Sequence, residues 1–328
     1  AMYNESSYVN GRTLNIAIGK QALDNLRTGD YNTCIGVYSD TYYNNSQYNT
    51  VLGYLAKAGY QHNVCIGHQA GNSMYNQTDS AILIGHQAGY DMDGGDHVVF
   101  IGHQAGYAGG SNGANIGIGS YAVDALTSGF YNTGVGYGAL SNVSSGYQNC
   151  GFGFNAGEDI TTGDNNVAIG HKAMGNTSDA YTGDNNICIG RNAGESGSPS
   201  GTITTVSDRL VLGDNNITDA YVKVDWTVTS DRRDKTDITP FTHGLSWINK
   251  LNPVTYRWDN RSDYEDGVPD GSKKGTQLNL GLIAQDEIEV EKEHGYGDTP
   301  ENMLVSDVNA DGNYGMIYSK LVPILINA

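Results

Sequence analysis

Glycine returns at a nearly fixed interval through the first two thirds of this chain, and that interval limits the folds open to it. Aligned on an apolar residue followed by glycine, the register runs Gly19, Gly36, Gly53, Gly67, Gly85, Gly102, Gly119, Gly136, Gly153, Gly170, Gly190 and Gly213. The steps are 17, 17, 14, 18, 17, 17, 17, 17, 17, 20 and 23 residues. A period this short predicts stacked solenoid-like turns rather than a globular domain. Most units carry asparagine four residues before the glycine (Asn32, Asn49, Asn132 and Asn149 among them) and alanine three after it, as at Ala56, Ala70 and Ala88. Between them lies a short alternating strand such as Asn15-Ile16-Ala17-Ile18. Asparagine, which can bond its own backbone and its copies in the next turn, suits a corner; glycine releases the chain from the strand, and alanine permits close approach. Thr28-Gly29-Asp30, Thr127-Ser128-Gly129 and Thr162-Gly163-Asp164 read as the return turn. Eleven steps at roughly 4.8 Å make a rod of about 50 Å, a spacer or display stalk.

The 328 residues are enough for two domains. No apolar run approaches the roughly 18 residues of a membrane helix, so no membrane insertion is expected. Ala1-Met2 reads as a cloning remnant ahead of an excised fragment, which leaves the lack of a secretory signal uninformative. Acidic residues outnumber basic ones 36 to 18, by 19 to 8 before Ser230 and 17 to 10 from it onward, which argues against a nucleic-acid partner. With 45 Gly, and 23 Tyr against 5 Phe, many rings are expected near the surface of a shallow fold. Cys34, Cys65, Cys150 and Cys188 are too scattered for a metal or redox motif. Three of them stand two residues before a repeat glycine, where small buried hydrophobes are expected. No motif calls for a cofactor.

Two constellations in the array admit sharper readings. His68, His86 and His103, with His171 further along, fall at one phase, so stacking would bring their rings within about 5 Å of each other. A metal ladder is one reading. The same phase also holds Lys20, Tyr54, Tyr137 and Arg191, which favours a solvated structural column. The tyrosines form the second constellation: Tyr31, Tyr48 and Tyr131 directly precede the corner asparagine, and Tyr38, Tyr42, Tyr43 and Tyr48 cluster. Stacking on sugar rings and packing at the corner are both open to them. Glu158-Asp159 is the candidate acid pair for glycoside cleavage.

Beyond Gly190 the period loosens through a Ser/Gly/Pro-rich linker at 195–201. Residues 209–213 and 220–228 then read as two strands leading to Ser230. The expected organisation is an array over 1–202, a β junction over 203–229 and a small α/β domain over 230–328. At the boundary, Ser230 and Lys235 are five residues apart, and a turn after Asp231 would fold the amine back toward the hydroxyl. That pairing is the minimum for a serine nucleophile with a lysine base, and Arg232 and Arg233 would help the lysine lose its proton. A solvated linker turn fits the same residues. Downstream, the pattern predicts a helix over 243–251, a strand over 253–258, a polar loop over 260–276, a helix over 284–293, a hairpin over 304–318 and a last helix over 319–327. In the hairpin, Asp307, Asn309 and Asp311 look like the start of a calcium loop, but the twelfth position is Tyr318 rather than glutamate, which favours a plain Asp-Gly turn.

The array resembles the N-x-x-Ile-Gly-x-x-Ala repeats of bacteriophage tail-fibre proteins and, more distantly, the β-roll heads of trimeric autotransporter adhesins. That resemblance implies a mainly β, trimeric fold, either a parallel β-roll or an interleaved β-structure. The blocks Ser230–Ile238, Gly244–Leu245 through Leu251–Trp258, Gly281–Asp286 and Tyr318–Ile326 resemble, in order and spacing, the C-terminal intramolecular chaperone of phage endosialidase tailspikes and tail fibres, and a similar domain in the eukaryotic myelin regulatory factor. The resemblance implies a homotrimeric domain that helps the upstream fibre fold and then cuts itself off between Thr229 and Ser230. Ser230 would be the nucleophile and Lys235 the base. Two departures stand out. Asp234 occupies a usually apolar position and is placed to pair with Lys235, and the chain stops at Ala328 where the family continues into a coiled coil, so trimerisation from that end is expected to be lost. The expected whole is a virion tail-fibre or tailspike fragment, assembled in the host cytoplasm, that attaches to a cell-surface receptor such as a polysaccharide. A capsular polysaccharide depolymerase and a bacterial surface adhesin are the alternatives.

Overall fold

The computed structural model describes residues 14–74, 78–108, 110, 113–175, 179–309 and 312–328. Two units meet after Asn216. In the first, twelve three-residue strands, from Ile16–Ile18 to Leu210–Leu212, form one parallel sheet in which each strand bonds to that of the next turn. The array is thus a parallel β-solenoid. Register holds even where the unit length changes: Thr50 pairs with Val64 across the 14-residue step and Ile187 with Leu210 across the 23-residue one, so extra residues are absorbed outside the strand.

Glycine at the strand end is a steric necessity. From Gly19 to Gly190 the repeat glycines have φ between +117° and +143°, and a Cβ on Gly85 would lie 2.2 Å from the Gly102 carbonyl oxygen. Only glycine lets successive turns stack at sheet spacing here.

The middle residue of each strand points inward, and the core accommodates unequal sizes within a turn. Phe100 is 1% exposed beside Gly106, where a Cβ would come within 2.3 Å of its ring. Where the strand residue is Gly117 or Gly151, the space is filled by Val123 and Leu140. Cys34, Cys65 and Cys188 are buried and free, as their phase predicts; burial pushes all three thiols up, Cys188 to about 12.

At the corner, the asparagines form two buried amide ladders, Asn15–Asn32–Asn49–Asn63 and Asn115–Asn132–Asn149–Asn166–Asn186, separated by Ala81 and Val98 at the same phase. Asn132 is typical. Its Oδ1 accepts from the Asn149 backbone amide at 3.0 Å and from Asn149 Nδ2 at 3.1 Å, while its Nδ2 donates to Asn115 Oδ1 and to the Gly146 carbonyl.

The sheet's outer surface departs from the usual alternation of apolar and polar faces. The first and third residues of all twelve strands point away from the solenoid interior, and none is charged in a chain that is 16% charged. The third positions read Ile18, Ile35, Leu52, Ile66, Ile84, Ile101, Ile118, Val135, Phe152, Ile169, Ile189 and Leu212 without interruption. Several are half exposed, including Ile18, Phe152, Ile189 and Leu212.

The second unit has a small core of Trp247, Val290, Val305, Leu321 and Ile324, flanked by Phe241, Leu282 and Met316. The helix Ala284–Glu293 forms over the span its pattern predicts, and the hairpin pairs Ser306–Val308 with Tyr314–Met316. The other helices are shorter than expected, Leu245–Ile248 and Leu321–Ile326. Val254–Tyr256 pairs antiparallel with Asn279–Gly281, a strand the pattern did not reveal. One expectation fails. The second junction strand, over 220–228, does not form: Tyr221, Val224, Trp226 and Val228 are 94, 71, 72 and 80% exposed, and no described strand pairs with the segment, so its apolar alternation has no ladder to hold it extended.

Candidate functional site

Ser230 and Lys235 meet through a local turn. Asp231 caps the single 3-10 turn Arg232–Asp234 by accepting the Arg233 amide at 2.9 Å, and the Lys235 amide donates to the Arg232 carbonyl at 3.3 Å. The chain therefore doubles back, and Lys235 Nζ donates to Ser230 Oγ at 2.5 Å. Both side chains are exposed, as is Thr229.

The charged neighbours are arranged differently from the expectation. Asp234 makes no ion pair with Lys235 within 4.0 Å; the ion pair of the turn joins Arg233 to Asp231 at 2.6 Å. That contact holds the Asp231 carboxyl below its ordinary range and ties the Arg233 guanidinium to a carboxylate instead of leaving it as a bare cation beside the lysine. A lysine acts as a base only when desolvated or crowded by cations. Ser230 and Lys235 are both exposed, so one chain by itself does not bury the pair.

Two buried carboxyl groups organise the rest of the unit. Glu287 accepts from Trp247 Nε1 at 2.7 Å, and burial raises its pKa to about 7. Glu291 accepts from the amides of Leu304, Val305 and Ser306 at 3.0, 2.7 and 2.7 Å and from Ser306 Oγ at 3.0 Å, fixing the strand that opens the hairpin. Neither was singled out in the sequence, because a glutamate within an acidic helix looks like part of a solvated face. The hint available was their spacing of four, which puts both on one side of Ala284–Glu293.

The other candidates resolve as follows. Asn309 Oδ1 accepts the Asn313 amide at 2.8 Å and closes the hairpin turn; Asp307 is exposed on its strand, and Asp311 lies outside the described residues. The rings of His68, His86 and His103 stack at 5.0 Å, parallel to within 6°. Equivalent nitrogens therefore repeat at that spacing, beyond the roughly 4.2 Å that two metal–nitrogen bonds of about 2.1 Å can span. Among the described residues no group of three metal-ligating side chains converges. The column continues through Tyr54 on one side and through Tyr121, Tyr137, Phe154 and His171 on the other. Tyr31, Tyr48 and His62 stack likewise at 4.9 and 5.1 Å, so Tyr48 has both faces covered and the corner-packing reading holds there. Asp159 is buried and Glu158 accepts from Asn155 Nδ2, which leaves the pair poorly placed to flank a sugar bond.

Residues 230–296 match the family model described as the chaperone of endosialidase, and the match begins at Ser230 itself. No curated protein and no solved structure matches the chain. A β-solenoid followed by an endosialidase-type chaperone segment is a tail-fibre-like arrangement, and the segment points to a role in trimerisation.

Proposed function

We propose that this chain is a fragment of a virion fibre that attaches to a host cell surface, and that its C-terminal segment assembles three copies and then severs itself at Thr229–Ser230. The observation that carries the cleavage reading is the 2.5 Å contact between Lys235 Nζ and Ser230 Oγ at the first residue of the chaperone match. In the reaction, Ser230 Oγ attacks the Thr229 carbonyl carbon as Lys235 takes the hydroxyl proton. The C–N bond then breaks and the proton passes to the departing Ser230 nitrogen. Water hydrolyses the resulting ester, leaving a carboxylate on Thr229 and regenerating the serine. Holding the hydroxyl beside its target replaces a bimolecular encounter and lowers the barrier by up to roughly 7–11 kcal/mol.

The exposed setting of the dyad supports a dependence on assembly, since neighbouring copies would have to supply the missing desolvation. Homotrimerisation is supported by the uncharged outer face of the solenoid. Twelve strands at about 4.8 Å and three residues at about 3.3 Å give a face of about 55 Å by about 10 Å. With its flanking residues, that approaches the roughly 800 Å² per partner of a specific interface. Only an object with the same rung spacing could cover it from end to end, and a second copy has that spacing. The exposed apolar segment at 220–228 would find its strand partners in the same assembly.

Cleavage is tested by the intact mass of the denatured protein beside Ser230→Ala and Lys235→Ala. Two fragments meeting at Thr229 and Ser230 in the parent, with full-length chains in both variants, are expected. A parent that stays whole after its oligomer has formed would rule self-cleavage out.

A further inference from the structure

Two side-chain columns climb the corner of the solenoid, six and five residues before each repeat glycine. Over successive turns the first reads Asp79, Asp96, Gly113, Phe130 and Tyr147, and the second Ser80, His97, Ala114, Tyr131 and Gln148. Backbone bonds confirm the register: the Ala114 amide donates to the Asp96 carbonyl at 2.9 Å and the Gln148 amide to the Phe130 carbonyl at 3.0 Å. At Gly113-Ala114 both columns lose their side chains in the same turn. The result is a notch of about 410 Å³ lined by Gly95, Asp96, His97, Gly113, Ala114, Phe130 and Tyr131.

The walls of the notch differ in chemistry. On one side stand a carboxylate and an imidazole. On the other, Phe130 stacks one face on Tyr147 at 5.3 Å and 8° and stands perpendicular to Tyr131 at 5.2 Å and 82°, and its unstacked side looks toward the turn where Gly113 offers no side chain. Rings inside a column have no such face, as at Tyr48 and His86. Column ends such as Tyr31 and His62 stack on one side only, but neither lines this notch, where the carboxylate and the imidazole stand across from the ring. Two turns separate the walls, about 9.6 Å at sheet spacing, so a ring seated between them lies about 4.8 Å from each, within stacking range.

We propose that this notch binds one pyranose unit of a neutral or amino sugar, its C–H face on Phe130 and its hydroxyl groups on Asp96 and His97. A flat aromatic ligand would leave the carboxylate facing a group that cannot donate to it, at a cost a hydroxylated ring avoids. Acidic sugars are disfavoured, because Asp96 is bonded to the amide of Asp79 and the chain has a formal net charge of −18. The proposal deepens the attachment reading and rests on it only for the source of the sugar, a cell-surface glycan.

The test fills the notch with the array's own residue. Ala114 has φ +56°, and tyrosine already occupies that position at φ +61°, +57° and +62° in Tyr31, Tyr48 and Tyr131, so Ala114→Tyr fits the backbone. Saturation-transfer NMR on the full chain would use the methyl pyranosides of glucose, galactose and mannose, N-acetylglucosamine, and N-acetylneuraminic acid as the acidic control. The expected result is transfer to the ring protons of at least one neutral or amino sugar and none to the acidic one, reduced at least tenfold in Ala114→Tyr and in Phe130→Ala. No transfer to any neutral or amino sugar, or transfer unchanged in Ala114→Tyr, would overturn the notch. Adsorption of the labelled chain to bacterial cells reads attachment separately. Sugar transfer without adsorption supports the notch and removes the attachment reading; adsorption without sugar transfer does the reverse.

Discussion

The two units are stabilised in different ways. In the solenoid most turns repeat the same three contacts: a glycine pressed against the next glycine, a rung of a buried amide ladder, broken at Ala81 and Val98, and a strand paired on both sides except at the two ends of the sheet. The C-terminal unit has a few large side chains around Trp247 and two glutamates that collect the hydrogen bonds of otherwise unpaired groups. A repeat array sums nearest-neighbour terms and tolerates a weak turn, whereas a small core concentrates its stability in single residues. Each unit leaves apolar surface uncovered in a different way. The array exposes an apolar face, and the segment ahead of Ser230 exposes apolar side chains without forming a strand.

The largest single effect is expected where the array has no tolerance. Gly85→Ala forces a side chain into φ +140° and to within 2.2 Å of a backbone oxygen, and should cost about 4 kcal/mol or more, splitting the array's thermal transition. A single transition at the parent temperature would show that the turns are not in this close register. Next, Asn132→Ala orphans the Asn149 amide and side chain, and about 2–3 kcal/mol should be lost from the array's transition alone. Glu291→Gln is its counterpart in the other unit: it presents an amide to donors that need an acceptor, and about 2 kcal/mol should be lost from the C-terminal transition alone. If either variant shifts both transitions equally, the two units unfold as one and the contrast between them fails.

Acidity gives a smaller effect with a definite sign. Glu287 holds its proton up to about pH 7 in the folded state, against an ordinary value of 4.5, so the folded state binds the proton more tightly than the unfolded chain does. The C-terminal unit should therefore gain stability as pH falls from about 7 toward 4.5, by on the order of 1–2 kcal/mol after screening, and lack that contribution above 7. Glu287→Gln should flatten this slope in calorimetry across the window. In the array, Asp40 and Asp124, raised to about 6 chiefly by burial, should produce the same trend over a lower range. The smallest effect is expected from His86→Ser, since the ring is exposed and its stacking partners lie at 5.0 Å; a loss within about 0.5 kcal/mol would be ordinary for such a surface site.

The array's architecture was legible in the sequence because its constraints fall on residue types with few substitutes. Nothing but glycine adopts the strand-end φ, and little but asparagine bridges successive turns through a buried amide. The contact between Ser230 and Lys235 was legible for a similar reason, since five residues with a capped turn suffice to bring the lysine back to the serine. The features that escaped notice depend on partners distant in the sequence. Asn279–Gly281 pairs across a long polar loop, and Glu291 serves a hairpin more than ten residues away. The segment over 220–228 carries a strand's alternation but pairs with no strand among the described residues, so its pattern predicted an element that does not form. The notch at Gly113-Ala114 left its trace as missing side chains, visible only once the turns are aligned.

On the proposed function, the C-terminal unit assembles the array. The most direct test is native mass spectrometry after refolding from denaturant, comparing the full chain carrying Ser230→Ala with a chain ending at Thr229. Trimers are expected from the full chain, and monomers or aggregate from the array alone, whose apolar face is left without a guide. Equal yields of the same trimer from both would contradict it.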